Sequence, residues 1–133
     1  MSAQPQTAGP GPGFANKPEH TITLEREGKR VSVVFNGETI AETTNAITLR
    51  EANYPPMYYL PRADVRADVL TRTEHSTHCP FKGDAAYWSI KVGDKDSENA
   101  VWSYEIPFDE VVEIKDHMAF YADRMDAIDV ADA

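Results

Sequence analysis

The chain has 133 residues, of which 41% are hydrophobic and 26% charged, so it is long enough to form one domain with a buried core. Its formal net charge is −9 and residues 105–133 are strongly acidic, which argues against DNA or RNA as a partner because such a surface repels phosphates. One cysteine excludes an internal disulfide, and the lack of any apolar run near about 20 residues predicts no membrane helix, so a cytoplasmic location is expected.

The two ends of the chain differ in composition from the middle. Residues 1–19 are rich in Pro, Gly, Gln and Ala without hydrophobic periodicity, so they are predicted to form a disordered tail that carries no signal peptide. Residues 20–126 are predicted to form a single β domain. The acidic residues 127–133 are predicted to be a frayed C-terminal tail.

Alternating hydrophobic residues predict a meander of short antiparallel strands in the first half of the domain. The predicted strands cover residues 21–25, 31–35, 38–43 and 46–51. Between the second and third of them, Asn36-Gly37 predicts a tight type I′ hairpin turn, because both residues accept positive φ angles.

The second half predicts one short helix among further strands. A strand at 57–60 is followed by Pro61, which is well placed to begin a helix that ends near Leu70. The segments "AAYWSIKV" and "AVWSYEI" are typical of strands, and the polar residues 93–99 between them predict a hairpin loop. A helical turn and a last strand at 118–121 are expected after that. The fold class is therefore mainly β, with compact antiparallel strands and one short helix.

The stretch "THCPFKGDAAYW" contains the only cysteine of the chain, Cys79. Three interpretations stay open: a buried hydrophobe, a catalytic thiol with His78 or His75 as the base, and the wall of a non-covalent pocket. Neighbours in a strand point to opposite faces, which argues against a direct pair of Cys79 with His78. Lys82 can fold back across the turn toward the thiol, and Gly83 suits the close approach of a ligand.

Other site chemistry has little support in the sequence. His75, His78, Cys79 and His117 lack the second close pair that zinc sites commonly have, so no metal is predicted. The sequence contains no phosphate loop, no G-x-S-x-G and no dinucleotide fingerprint, so no cofactor is predicted.

Aromatic residues are concentrated in the candidate strands, where core packing is their usual role. Alternation requires that members of the pairs Tyr58/Tyr59, Tyr87/Trp88 and Phe120/Tyr121 face opposite sides. A surplus ring on the second face would line a ligand cleft or build a homodimer contact.

The motifs "VFNGETIAET", "NYPPMYYLPRADV", "HCPFKGDAAYWSI", "AVWSYEIP" and "MAFYADRMD" resemble the bacterial domain-of-unknown-function family 427, which is also labelled nucleotidyltransferase-like. The most specific matches are Tyr58, Tyr59, Pro61, Cys79, Pro80, Lys82, Gly83, Ala85 and Tyr87. The resemblance implies a tent-like pair of sheets and no known reaction. Glu42 stands where the family usually has Asp. The paired aspartates that would hold Mg²⁺ around a triphosphate are not recognisable in the sequence.

Three functions are compatible with these residues. The first is binding of a small molecule, including a nucleotide-like anion, in a cleft around the C-P-x-K-G segment. Its expected ligand-binding residues are Tyr58, Arg62, Lys82, Gly83 and Tyr87. The second is an enzyme or transferase that uses Cys79 as nucleophile, with His78 as a candidate base. The third is a non-catalytic homodimeric interaction module.

Overall fold

The protein, described here from a computed structural model over residues 7–133, consists of ten strands, one short α-helix and four 3-10 turns. The strands are β1 (Ile22–Glu25), β2 (Arg30–Phe35), β3 (Glu38–Thr43), β4 (Ile47–Glu51), β5 (Met57–Pro61), β6 (Leu70–Cys79), β7 (Gly83–Val92), β8 (Lys95–Ser103), β9 (His117–Phe120) and β10 (Ala127–Ala131). The helix is α1 (Pro12–Asn16), and the 3-10 turns are Arg62–Asp64, Ala67–Val69, Asp109–Ile114 and Ala122–Arg124.

All strand pairs are antiparallel, and they form two sheets. One sheet has seven strands in the order β1-β4-β5-β9-β8-β7-β6, and the other has three in the order β10-β2-β3. The predicted mainly β, two-sheet fold is therefore confirmed. The hairpin at Asn36-Gly37 is also confirmed, since Asn36 has φ 49° and Gly37 has φ 78°, as a type I′ turn requires.

The helix predicted after Pro61 is wrong. Two 3-10 turns, Arg62–Asp64 and Ala67–Val69, stand in its place, with Val65 extended between them. Val65 is buried and bridges Ala41 of β3, and the Arg66 backbone N–H donates to the Ile40 carbonyl. Contacts with the neighbouring sheet thus outweigh the weak helical pattern of the segment.

The region before and after β7 contains more strand than the sequence predicts. The hairpin predicted between β7 and β8 is confirmed, but the loop predicted at residues 93–99 is too long, because β8 already begins at Lys95 and Gly93-Asp94 form the turn. The ten-residue strand β6 was not predicted. It is the edge of the large sheet and mostly exposed, so it lacks hydrophobic alternation, and its pairing with β7 shifts register between Arg72 and Ser76.

Both predicted tails contain ordered structure. Residues 127–131 form β10, which pairs with β2 along its whole length, so the C-terminal prediction is wrong for this segment. Residues 7–20, which we name the N-terminal arm, contain α1 and dock on the loop before the turn Asp109–Ile114. The first six residues of the predicted N-terminal tail lie outside the described part of the chain.

Strand alternation divides the hydrophobic residues between two cores. The first core lies between the sheets and is formed by Val31, Val33, Phe35, Ile40, Leu60, Trp88, Ile90, Val101, Met118 and Phe120 among others. The second core lies on the other face of the seven-stranded sheet and is formed by Ile47, Leu49, Tyr59, Ala85, Tyr87, Trp102, Tyr104, Val111, Ile114 and Ala119.

The seven-stranded sheet curls around the second core. Glu51 at the end of β4 contacts Lys82 in the turn between β6 and β7, although β5, β9 and β8 separate β4 from β7 in the sheet. This contact brings the two ends of the sheet together at one rim. Within residues 7–133, no helix combines the length and apolar character that crossing a bilayer requires.

Candidate functional site

The C-P-x-K-G segment borders a cleft of about 470 Å³ at the rim where the large sheet closes. We name it the Glu51 cleft; its lining residues are His20, Glu51, Tyr54, Pro55, Met57, Cys79, Pro80, Phe81 and Lys82. Three parts of the chain build it. His20 comes from the N-terminal arm, residues 51–57 run from the end of β4 to the start of β5, and residues 79–82 run from the end of β6 through the turn that follows it.

Glu51 is the centre of the polar groups in this cleft. Lys82 Nζ donates to one carboxylate oxygen of Glu51 at 2.7 Å, and His20 Nε2 lies 2.7 Å from the other. The side chains of these three residues are only 12–17% exposed. Burial by itself would raise the pKa of Glu51, but the hydrogen bonds and charges of Lys82 and His20 outweigh it and hold this pKa below the ordinary value of 4.5.

Aromatic and apolar side chains form the walls of the Glu51 cleft. The His20 ring stacks on Phe81, with ring centroids 3.9 Å apart and planes 18° apart. Tyr54 is 67% exposed at the mouth, and Met57 packs against the second core. The cleft therefore combines apolar walls with one charged carboxylate–ammonium pair, which is the usual composition of a small-molecule site.

Cys79 is a free, half-buried thiol that lines the Glu51 cleft and packs against the second core. His78 faces a different cleft, where its Nδ1 lies 2.7 Å from the Asp84 carboxylate. Strand alternation thus separates these two neighbours, as the sequence argument expects. The titratable side chains that share the Glu51 cleft with the thiol are His20, Glu51, Tyr54 and Lys82.

Two of the predicted ligand residues, Tyr58 and Arg62, belong to other surfaces. Tyr58 packs against the first core and lines a separate apolar cavity of about 180 Å³. The Arg62 guanidinium lies 5.0 Å from the centroid of the Trp88 ring and 3.5 Å from a carboxylate oxygen of Glu105. The convergence of Tyr58, Arg62 and Lys82 expected from the sequence is therefore not found.

Gly83 and Tyr87 are also outside the lining of the Glu51 cleft. Gly83 has φ 117° and lies where an added Cβ would be 3.3 Å from the Ile106 carbonyl oxygen, so its role is to let two backbone segments approach closely. Tyr87 is 5% exposed, and its hydroxyl lies 2.9 Å from the Thr77 hydroxyl. Of the five predicted ligand-binding residues, one lines the Glu51 cleft, namely Lys82.

The aromatic residues follow the predicted division between two faces. Tyr87 lies in the second core and Trp88 in the first, and the pairs Tyr58/Tyr59 and Phe120/Tyr121 divide in the same way. In the second core the indole N–H of Trp102 donates to the Tyr59 hydroxyl at 3.2 Å. The homodimer expected from a surplus ring stays a prediction, which light scattering at several concentrations would test.

Sequence reasoning missed Glu51 and His20. Glu51 is in phase with Ile47 and Leu49, which are both buried in the second core, so alternation in "AITLRE" could have placed this acid on the inner face. No comparable signal exists for His20, which follows a segment without periodicity. Among residues 7–133, no group of three or more His, Cys, Asp and Glu is close enough to hold a metal ion.

Comparison with known proteins adds the family of the chain. No curated protein matches it. Residues 23–131 match the family model described as a domain of unknown function, DUF427, and these residues include every strand except the first residue of β1. The chain therefore belongs to the DUF427 family.

Proposed function

We propose that this protein binds a small molecule in the Glu51 cleft. The observation that carries the proposal is the Glu51–Lys82 pair, which is 12% and 14% exposed and faces a cleft with apolar and aromatic walls. A protein does not gain stability easily from a pair of charges withdrawn from water. The position of this pair beside an open cleft therefore supports a binding role in addition to its contact across the rim of the sheet.

The charge of the cleft bears on the class of ligand. Glu51 already neutralises Lys82, so an anion such as a nucleotide phosphate would have to compete for the ammonium group. The exposed ring of Tyr54 and the apolar side chain of Met57 offer contact area to an uncharged planar group. A ligand whose ring packs against these walls fits best. Whether a phosphate group on that ligand strengthens binding is the question that the comparison of adenosine with AMP tests.

The single cysteine gives a direct assay of occupancy. Iodoacetamide would alkylate Cys79, and mass spectrometry would follow the rate with adenosine or AMP present. A ligand that fills the Glu51 cleft is expected to slow alkylation and to raise Tm. Stronger protection by AMP than by adenosine would support an anionic ligand, and the reverse would support a neutral one.

If AMP protects Cys79 from alkylation more strongly than adenosine does, Lys82→Met should abolish this difference. Lys91→Met should keep the difference, because Lys91 is exposed on β7 and does not line the cleft. Unchanged alkylation rates and unchanged Tm across nucleosides, nucleotides and other planar heterocycles would count against the proposed function.

A second candidate is covalent chemistry at Cys79. It is favoured by the position of the thiol in the same cleft as Lys82 and His20. A nucleophilic thiol is expected to react with iodoacetamide at pH 7 at least about tenfold faster than free cysteine, because catalytic cysteines are held as thiolates by neighbouring cations. A rate at or below that of free cysteine would leave only the binding function.

A further inference from the structure

His20 occupies the Glu51 cleft in the manner of a bound ligand. Its imidazole is a planar nitrogen heterocycle that stacks on Phe81 at 3.9 Å and places Nε2 2.7 Å from a carboxylate oxygen of Glu51. Because a carboxylate only accepts hydrogen bonds, the His20 nitrogen must be the donor. Stacking together with a donated N–H is also how proteins commonly hold free heterocyclic ligands.

The part of the chain that carries His20 precedes the family domain. The DUF427 match begins at residue 23, while Glu51, Phe81 and Lys82 lie within it. The family domain thus supplies the other lining residues of the cleft, and the N-terminal arm supplies the His20 ring.

The N-terminal arm is held on the domain by hydrogen bonds at several positions, namely Thr7, Ala8, Gly9, Gly11 and Gly13. The backbone N–H of Gly13 donates to the Pro80 carbonyl at 2.9 Å, and Phe14 contacts Phe81 edge to face. A Cβ on Gly13 would lie 2.8 Å from both the Phe81 ring and the Pro80 oxygen, so only glycine fits here. Further toward the N-terminus, Gly11 N–H donates to Glu110 at 2.9 Å.

We propose that the Glu51 cleft takes a planar nitrogen heterocycle with an N–H donor, and that His20 is the chain's own occupant of this subsite until such a ligand displaces it. The inference rests on the binding function proposed above and names its ligand class. The docked N-terminal arm holds the His20 ring in place, so a free ligand displaces it only when its own contacts with the Glu51 cleft are more favourable than those of the ring.

Imidazole is the probe that tests the subsite. His20→Ala in the full chain leaves Phe81 and Glu51 in place without their occupant. At 100 mM imidazole we expect the Tm of this variant to rise by about 3 °C, because a ligand that binds only the native state stabilises it. Wild type should show no such rise, since its own ring fills the position.

The donated hydrogen bond is tested with 1-methylimidazole. At about pH 9, well above the ordinary imidazole pKa of about 6.5, both probes are neutral and only imidazole carries an N–H. Imidazole should therefore raise the Tm of His20→Ala and 1-methylimidazole should not. Equal shifts from both probes would overturn the assigned hydrogen bond to Glu51.

Displacement of the N-terminal arm is tested with His20 still present. Gly13→Val should undock the arm, since its side chain has no room against Phe81. Ala15→Val is the matched control, because Ala15 is exposed in the same helix. We expect imidazole to raise the Tm of Gly13→Val and to leave that of Ala15→Val unchanged. If Gly13→Val does not fold, His20→Ala decides alone.

Two results would overturn the proposal. The first is an equal rise in Tm with imidazole in wild type and all variants. The second is no rise in Tm in His20→Ala and none in Gly13→Val. Neither result decides the proposed function, because protection of Cys79 by another class of ligand would still support a site in this cleft.

Discussion

Glu51 joins the two ends of the large sheet at its rim through its contact with Lys82. Glu51→Gln keeps the shape of the side chain but leaves the largely buried Lys82 without a countercharge. We expect this variant to lose about 2 kcal/mol of unfolding free energy at pH 7, as measured by urea denaturation. The control is Glu27→Gln, whose exposed pair with Arg50 should contribute less than about 1 kcal/mol.

The contribution of Glu51 should also depend on pH. Folding lowers its pKa below 4.5, so the unfolded chain binds a proton at this group more readily than the native protein. The stabilisation is therefore complete above the unfolded-state value and is lost as pH falls through the folded-state pKa. Wild type and Glu51→Gln should converge in stability under acid conditions. A constant difference down to about pH 3 would contradict this.

The turn between β6 and β7 is the element that positions Cys79 and Lys82. Gly83→Ala places a side chain at φ 117°, against the Ile106 carbonyl, and should cost about 2–3 kcal/mol in urea denaturation. Gly28→Ala is the control, since Gly28 has φ 71° with nothing within 4 Å of an added Cβ, and should cost about 1 kcal/mol. Equal costs would show that the close backbone approach at Gly83 contributes nothing.

The elements that could be predicted from the sequence are those with one buried and one exposed face. In β2, Val31, Val33 and Phe35 alternate with exposed or half-buried residues, and the hairpin after it has its own turn signal. Strand β6 lacks such a pattern because it lies at an edge with little of its surface buried. The segment after Pro61 bends into the first core at Val65, and that contact depends on β3, which is distant in sequence.

Within the candidate site, the residues that could be predicted are those that are close to one another in the sequence. Cys79 and Lys82 are close in sequence and were expected to share a cleft, as they do. Glu51 and His20 are 31 residues apart, and each reaches the site only through closure of the sheet or docking of the N-terminal arm. Contacts of this kind are set by tertiary structure, so local patterns do not reveal them.

For the whole molecule, the two cores should unfold together because they share the seven-stranded sheet. The chain has two tryptophans, and Trp88 lies in the first core while Trp102 lies in the second. In Trp102→Phe the fluorescence of the remaining Trp88 reports the first core. In Trp88→Phe the fluorescence of the remaining Trp102 reports the second core. We expect the fluorescence midpoint in urea to coincide with the circular dichroism midpoint in both variants. A fluorescence transition that precedes the loss of strand signal would mean that one core opens alone.

The register shift in β6 affects how copies of the protein meet at high concentration. An unpaired outer strand of ten residues would be a template on which another chain could extend the sheet and begin a fibril. The irregular stretch between Arg72 and Ser76 divides that template into two short regular pieces. Each piece offers few consecutive backbone donors and acceptors to an added strand, so we expect the register shift to limit aggregation along this edge of the sheet.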